Sequence, residues 1–359
     1  MVGASRRCTA RLAVDWVGML DASWEQVLHD SAQTRVVRVS VAAGAKTVVY
    51  KEAKGPAATE RLRHESEVLR RLVGVQGVSR LVDGPGRGTR LVLEDVRGSP
   101  VTGGNGQPLE GIELVDFALA VARVVAAVHH NGLLHKDISP ANILVDEHHR
   151  PTLIDFDLAS AVPDEAPVHD GPAPGEITGT LAYVAPEQTG RTGRRIDQRS
   201  DLYALGATLY EVATGSPPFG NGDPFRLVYD HLARIPIPPV ECAAGVPMAF
   251  SDIVMRLLEK EPDSRYQTAE GLIYDLQLLR EREAAGNRRP FVLGEHDFPL
   301  RLPPPSQLVG RKPELDVLST AFREAAHGPA QGVLIVGESG VGKSALLNEL
   351  RRSQPFSTT

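Results

Sequence analysis

Two short runs near the middle of the chain limit its possible folds more than any other feature of its 359 residues. The first is His135-Lys136-Asp137-Ile138-Ser139-Pro140-Ala141-Asn142-Ile143-Leu144-Val145, and the second is Ile154-Asp155-Phe156-Asp157. Each sets polar groups beside a short apolar stretch, so a buried strand can fix a carboxylate or amide in place. Asp137 can accept a proton, while Asn142 and Asp155 offer hard oxygen atoms of the kind Mg²⁺ prefers. Between them, His148-His149-Arg150-Pro151 reads as a turn. Alone, Asp137 and Asn142 would suit an ordinary loop turn. The rest of the chain decides.

Residues 35–41 and 46–51 are β-branched and read as two strands joined by a turn at Ala43-Gly44. Ala57 to Leu72 carries Leu62, Val68, Leu69 and Leu72 among charges, which predicts an amphipathic helix. Arg90 to Leu93 is a further short strand. Gly103 to Gly106 is a loop, and Ile112 to His130 is a long helix apolar on most sides. Helices are expected at about 200–214, 248–260 and 268–282. A loop covers 161–176. Strands first and helices later predict an α+β chain with a small sheet-rich lobe and a larger helical one.

The two central runs resemble the catalytic loop and the metal-binding motif of protein kinases. Further features follow in the order of that family: Val49-Tyr50-Lys51 at a strand end, Glu65 on the next helix, and Ala185-Pro186-Glu187 after Gly179-Thr180-Leu181-Ala182-Tyr183. Asp201 and Arg265 match two scaffold positions of the large lobe. The resemblance covers residues 25–285. It implies a two-lobed fold with ATP between the lobes, Lys51 on the phosphates paired with Glu65, and Asp137 facing the acceptor hydroxyl. Glu67, one register on, is the alternative partner for Lys51. Asn142 and Asp155 would hold Mg²⁺, and Glu94 and Val96 fall at nucleotide-binding positions. Asp201 would hold the catalytic-loop backbone, and Arg265 would pair with Glu187. Thr180, whose hydroxyl in Ser/Thr kinases bonds near the catalytic Asp, implies serine and threonine acceptors on protein substrates, with autophosphorylation open. His135 reads as structural. The pairs His129-His130 and His148-His149 could suggest a metal, but no carboxylate or cysteine completes a ligand set for them nearby in sequence.

Four positions depart from the family pattern. No glycine-rich loop lies between His29 and Lys51, so Ser31-Ala32-Gln33-Thr34 must cover the phosphates. Asp157 replaces a glycine, either as an extra metal ligand or as a loop residue with less backbone freedom. Ser139 replaces a lysine that contacts the γ-phosphate, so a lysine restored there is expected to raise turnover. Lys136 replaces an arginine that grips a phosphorylated activation loop, and lysine lacks the bidentate fork. The alternative reading is a nucleotide-binding pseudokinase that regulates an attached ATPase or sensor module. Lys51, Asp137, Asn142 and Asp155 are nevertheless all present.

Residues 286–306, ending in Pro303-Pro304-Pro305, read as a linker. After it, Glu314 to Ala326 predicts a helix and Gly332 to Val336 a strand. Gly337-Glu338-Ser339-Gly340-Val341-Gly342-Lys343-Ser344 then matches the P-loop signature, opening a helix over 345–351. The amides around Gly337, Gly340 and Gly342 would cradle phosphate, with Lys343 on the β/γ oxygens and Ser344 on Mg²⁺. Leu308-Val309-Gly310-Arg311 resembles the entry to AAA/STAND-type ATPases. Kinase, linker and ATPase start together resemble bacterial signalling hybrids that continue into sensor and histidine-kinase modules. With the sequence ending at Thr359, an incomplete α/β P-loop domain is expected.

A net charge of −6 without a basic block argues against nucleic acid or anionic membranes as the main partner. The first twenty residues lack the apolar core of a signal peptide, and no transmembrane run is visible, so a cytoplasmic location is expected.

Overall fold

The computed structural model describes residues 25–41, 46–82, 90–101, 108–162, 180–287, 289–298, 310–328, 332–337, 343, 346 and 350. The turn at Ala43-Gly44, the loop at 103–106, most of 161–176, Gly179, the triple proline, Gly340, Gly342 and Ser344 fall outside these residues. Two compact units divide at Phe298.

The first unit opens with an antiparallel sheet of β1 (Glu25–Asp30), β2 (Thr34–Val41), β3 (Lys46–Ala53) and β4 (Leu91–Glu94), in that order. Alternation along β2 turns Val37 and Val39 inward onto Val48, while Arg38 faces out. The strand β1 has few β-branched residues and every position exposed, so its sequence carries little strand signal. Helix α1 (Ala58–Arg71) buries Leu62, Val68 and Leu69 on one stripe and carries Glu65 on the same face.

Beyond β4, β5 (Ser99–Pro100) pairs with the hairpin of β7 (Ile143–Val145) and β8 (Pro151–Leu153), and β6 (Leu133–Leu134) pairs with β9 (Ser160–Ala161). The polar residues of the two central runs are thereby attached to short buried strands. The helices are α2 (Gly111–His130), α3 (Gln198–Thr214), α4 (Pro224–Ala233), α5 (Pro239–Cys242), α6 (Met248–Leu257) and α7 (Ala269–Ala284). Leu114, Ala118, Val121 and Val125 of α2 join the core with Leu205 of α3 and Leu276 of α7. At Gly206 a Cβ would lie 2.6 Å from the Cβ of Leu257, so glycine lets α3 and α6 close on each other. Helix α4, absent from the sequence-based reading, starts at Pro224 with Asp223 accepting the N–H of Arg226.

The linker expectation needs correction over 289–298. Asp297 accepts the backbone N–H groups of Gln267 and Thr268, and Gly294 donates its N–H to Asp275 at 2.7 Å. Composition suggested a free tether, but these bonds hold the segment on the large lobe.

In the second unit, α8 (Lys312–His327) spans the expected helix. Residues 332–337 take no strand pairing, contrary to expectation. A strand needs a hydrogen-bonded neighbour, and the described residues of this unit provide none. Among the described residues no helix is long and apolar enough to cross a membrane.

Candidate active site

Lys51 leaves β3 in register with Val36 of β2 and Leu91 of β4, deep in the small lobe. Its Nζ lies 2.8 Å from Glu65 Oε2 and 2.6 Å from Asp155 Oδ1. Glu65 is buried and Glu67 is exposed, which decides between the two candidate partners. Burial works against the Lys51 charge, but the two carboxylates outweigh it and hold the ammonium above the ordinary lysine range. Burial likewise pushes Glu65 up against the pull of Lys51, whereas Asp155, only partly shielded, is held below the usual carboxylate range by Lys51 against that desolvation. Lys51 is thus a fixed cation between two anions.

Asp155 has a left-handed backbone, φ 63°, uncommon for a residue with a side chain. Burial of Phe156 against the His135 ring and the bond from Phe156 N–H to Glu65 Oε1, at 3.3 Å, hold the segment there. His135 donates from Nε2 to Ile154 O and accepts the Asp137 N–H on Nδ1, which fits its structural reading.

The catalytic-loop backbone is held from below by Asp201, buried in α3, which accepts the N–H groups of His135 and Lys136 at 2.9 and 2.8 Å. His129 bonds the same carboxylate through Nε2 at 2.9 Å, while His148 and His149 are exposed. Among the described residues no group of three or more metal-ligating side chains gathers. Asn142 Nδ2 donates to Asp137 at both its main-chain O and Oδ2. Thr180 contributes its backbone N–H to Asp137 Oδ1, at 2.8 Å. That contact is a main-chain one, so it does not require the threonine hydroxyl. Arg265 and Glu187 pair as the family pattern implies, and Gln188 donates to Lys136 O at 2.8 Å.

These placements coincide with the extent of the family match. The family model for the protein kinase domain matches residues 33–275. The chain belongs to the protein kinase family. This kinase domain is 32% identical over 277 residues to the serine/threonine-protein kinase PknB of Mycobacterium leprae, covering 75% of this chain and 42% of that one. It is 35% identical over 193 residues to the hybrid signal transduction histidine kinase G of Dictyostelium discoideum, covering 48% of this chain and 6% of that one. The chain therefore spans less than half the length of these relatives. A second model, for an AAA ATPase domain, matches residues 307–356. The kinase domain implies ATP binding.

The roof of the cleft differs from the sequence expectation that its amides serve phosphate. Ser31 Oγ accepts the N–H groups of Gln33 and Thr34, and Ser31 N–H donates to Thr34 O. The turn closes on itself, leaving few amides for a ligand. Val96, by contrast, has a backbone N–H and C=O that take no hydrogen bond within the described residues, and Glu94 ends β4 beside it.

Two residues in the cleft walls were missed. Asp95 accepts from Thr47 Oγ1 at 2.6 Å and Arg38 at 3.0 Å, tying the connector between lobes to β2 and β3. Nothing in its sequence context marks it. Arg61, one turn before Glu65 on α1, bonds Asp157 at 3.2 Å. Its spacing of four from Glu65 was the available signal. The P-loop Lys343 donates to Gly337 O at 2.8 Å and sits in a helical turn.

Proposed function

We propose that this kinase domain transfers the γ-phosphate of ATP to serine or threonine hydroxyls of proteins, as part of a signalling hybrid in which an ATPase region follows it. The observation that carries the reading is the position of Lys51 Nζ between Glu65 and Asp155, opposite an Asp137 carboxylate aligned by Asn142 and Thr180. A lysine held by a helix carboxylate and a metal-binding aspartate are the two parts that phosphoryl transfer requires in protein kinases.

Asn142 Oδ1 and Asp155 Oδ2 take no hydrogen bond within the described residues, because Asn142 spends its amide nitrogen on Asp137 and Asp155 spends Oδ1 on Lys51. Two hard oxygens, completed by water and phosphate, fit Mg²⁺. Bound there, the ion would neutralise charge on the transferring phosphate. Lys51 would bind the α/β-phosphates, and the main chain at Glu94 and Val96 the adenine edge. Asp137 would accept the proton of the acceptor hydroxyl as its oxygen bonds to phosphorus and ADP leaves. In the second unit Gly337, Gly340, Gly342, Lys343 and Ser344 would form a separate phosphate loop. A cytoplasmic location fits this chemistry, since ATP is its substrate.

The test is Asp137→Asn, assayed for ATP affinity by calorimetry and for transfer with a labelled γ-phosphate. Affinity within about twofold of the parent and loss of transfer by at least about a hundredfold is expected. A matching loss of both would put Asp137 in a structural role, and phosphotyrosine as the only product would refute the acceptor class.

A further inference from the structure

The guanidinium of Arg61 sits where three segments meet. It donates from Nη1 to Asp157 Oδ2 at 3.2 Å, and from Nη2 to the main-chain oxygens of Gln33 at 2.9 Å and Lys54 at 3.1 Å. Gln33 belongs to the roof turn, Lys54 follows β3 and Asp157 ends the segment that carries Asp155. Arg61 itself stands one helical turn before Glu65, on the same face of α1. Both side chains of the pair are mostly shielded, Arg61 26% and Asp157 19% exposed, so the contact is less screened than a surface pair.

We infer that Arg61 is a positioning residue that joins the roof turn, α1 and the Asp155–Asp157 segment, and thereby fixes the Lys51–Glu65 pairing before nucleotide arrives. The inference rests on the kinase reading above and adds a regulatory element to that same site. The planar fork spreads the donors over two nitrogens, so Nη1 meets Asp157 while Nη2 meets the two main-chain oxygens, a span that the compact ammonium of a lysine does not offer. Asp157 then has a use that explains a carboxylate at a position the family gives to glycine. Lys136 stands where the family has an arginine that grips a phosphorylated segment, and it lacks that arginine's bidentate fork. The clamp supplies from inside the domain the order that such a contact would supply from outside.

The experiment compares the full chain with Arg61→Gln, Asp157→Asn and the double variant. Hydrogen exchange is read in α1 and α2 without nucleotide, and kcat and KM are read for ATP and a protein substrate. Each single variant is expected to speed exchange in α1 about tenfold with α2 unchanged, and to lower kcat about tenfold with the protein-substrate KM unchanged. The double variant should be no worse than Arg61→Gln alone, because Asp157 acts only through its contact to Arg61. Additive losses would overturn the proposal. So would equal acceleration in α1 and α2, which is plain destabilisation, or a changed Mg²⁺ requirement in Asp157→Asn with α1 exchange unmoved, which is the extra-ligand reading. Should the parent show no transfer, the proposed function fails, while the exchange of α1 still decides on the clamp.

Discussion

Arg265 and Glu187 face each other through two parallel hydrogen bonds, 2.7 and 2.9 Å long, with both side chains shut off from solvent. Ser200 donates to the same carboxylate at 2.7 Å, and Arg265 also donates to the main-chain oxygens of Glu259, Lys260 and Arg199. Every polar atom of the pair is thus occupied. Removing one partner leaves the other buried and charged, so Glu187→Ala or Arg265→Ala is expected to cost about 3–5 kcal/mol. Glu187→Leu with Arg265→Met should cost less than either, since no charge is then stranded. Urea unfolding of the three variants checks this, and a double loss equal to the sum of the singles would contradict it.

Asp201 predicts a specific acid response. Burial would raise its carboxyl, but the hydrogen bond from His129 and the main-chain amide of His135 help to hold it below its ordinary value of 3.8. A carboxyl depressed in the folded state stabilises it fully above the unfolded value and loses that contribution as pH falls through the folded value. Asp201→Asn should therefore cost about 1–3 kcal/mol at pH 7, where its amide meets two backbone N–H donors. The gap to the parent should narrow below pH 4. Denaturant midpoints across pH 2–7 test it, and a constant gap would sink the titration argument.

Much of this site was legible because its chemistry is tied to fixed neighbours along the chain. Asp137 and Asn142 share one loop, Asp155 ends an apolar run, and α1 shows its stripe, so the fold class and the clustered residues could be read off. Elements that depend on partners distant in sequence were not. β1 is exposed along its length and owes its place to β2, and α4 is short and announced only by Asp223-Pro224. Asp95 and Arg61 look like ordinary surface charges until Arg38, Thr47 and Asp157 come round to meet them. The roof turn shows the converse. Its sequence suggests amides open to phosphate, whereas Ser31 Oγ takes those of Gln33 and Thr34 locally.

With that turn closed, the proposed function rests ATP affinity on Lys51 and on the oxygens of Asn142 and Asp155. Gln33→Gly, opposite the fork of Arg61, keeps the main-chain oxygen in place. It is expected to change the ATP KM by less than about threefold, whereas Lys51→Ala should abolish transfer. A large change in KM from Gln33→Gly would mean that the turn opens to hold phosphate after all.

The segment 289–298 should behave as part of the kinase domain. The Asp297 carboxylate accepts from Gln267 N, Thr268 N and Thr268 Oγ1 at 2.7–3.0 Å, at the start of α7, where free N–H groups and the helix dipole favour a negative charge. Asp297→Ala is expected to lower stability by about 1–3 kcal/mol and to expose the N-terminal turn of α7 to proteolysis. Unchanged urea midpoints would show that the segment only rests on the lobe.

Ser139 gives the last prediction, and here the structure reverses the expectation from sequence. The family position carries a lysine on the γ-phosphate, so a lysine restored there looked set to raise turnover. Yet Ser139 is fully buried, and its hydroxyl finds no hydrogen-bond partner within the described residues. Its main-chain oxygen accepts the Asn142 N–H at 3.0 Å, which fixes the loop beside the Asn142 side chain. A four-carbon chain and an ammonium would have to displace that packing, at a cost of about 1–3 kcal/mol for overpacking alone. Removing the unpartnered hydroxyl should instead be harmless. Ser139→Ala is expected to leave stability level or higher by up to about 1 kcal/mol, and kcat within about twofold. Ser139→Lys should lower the melting temperature and fail to raise kcat. A Ser139→Lys protein with unchanged melting temperature and faster transfer would mean that this side chain swings into the cleft, and that the serine is a simple loss of a phosphate contact.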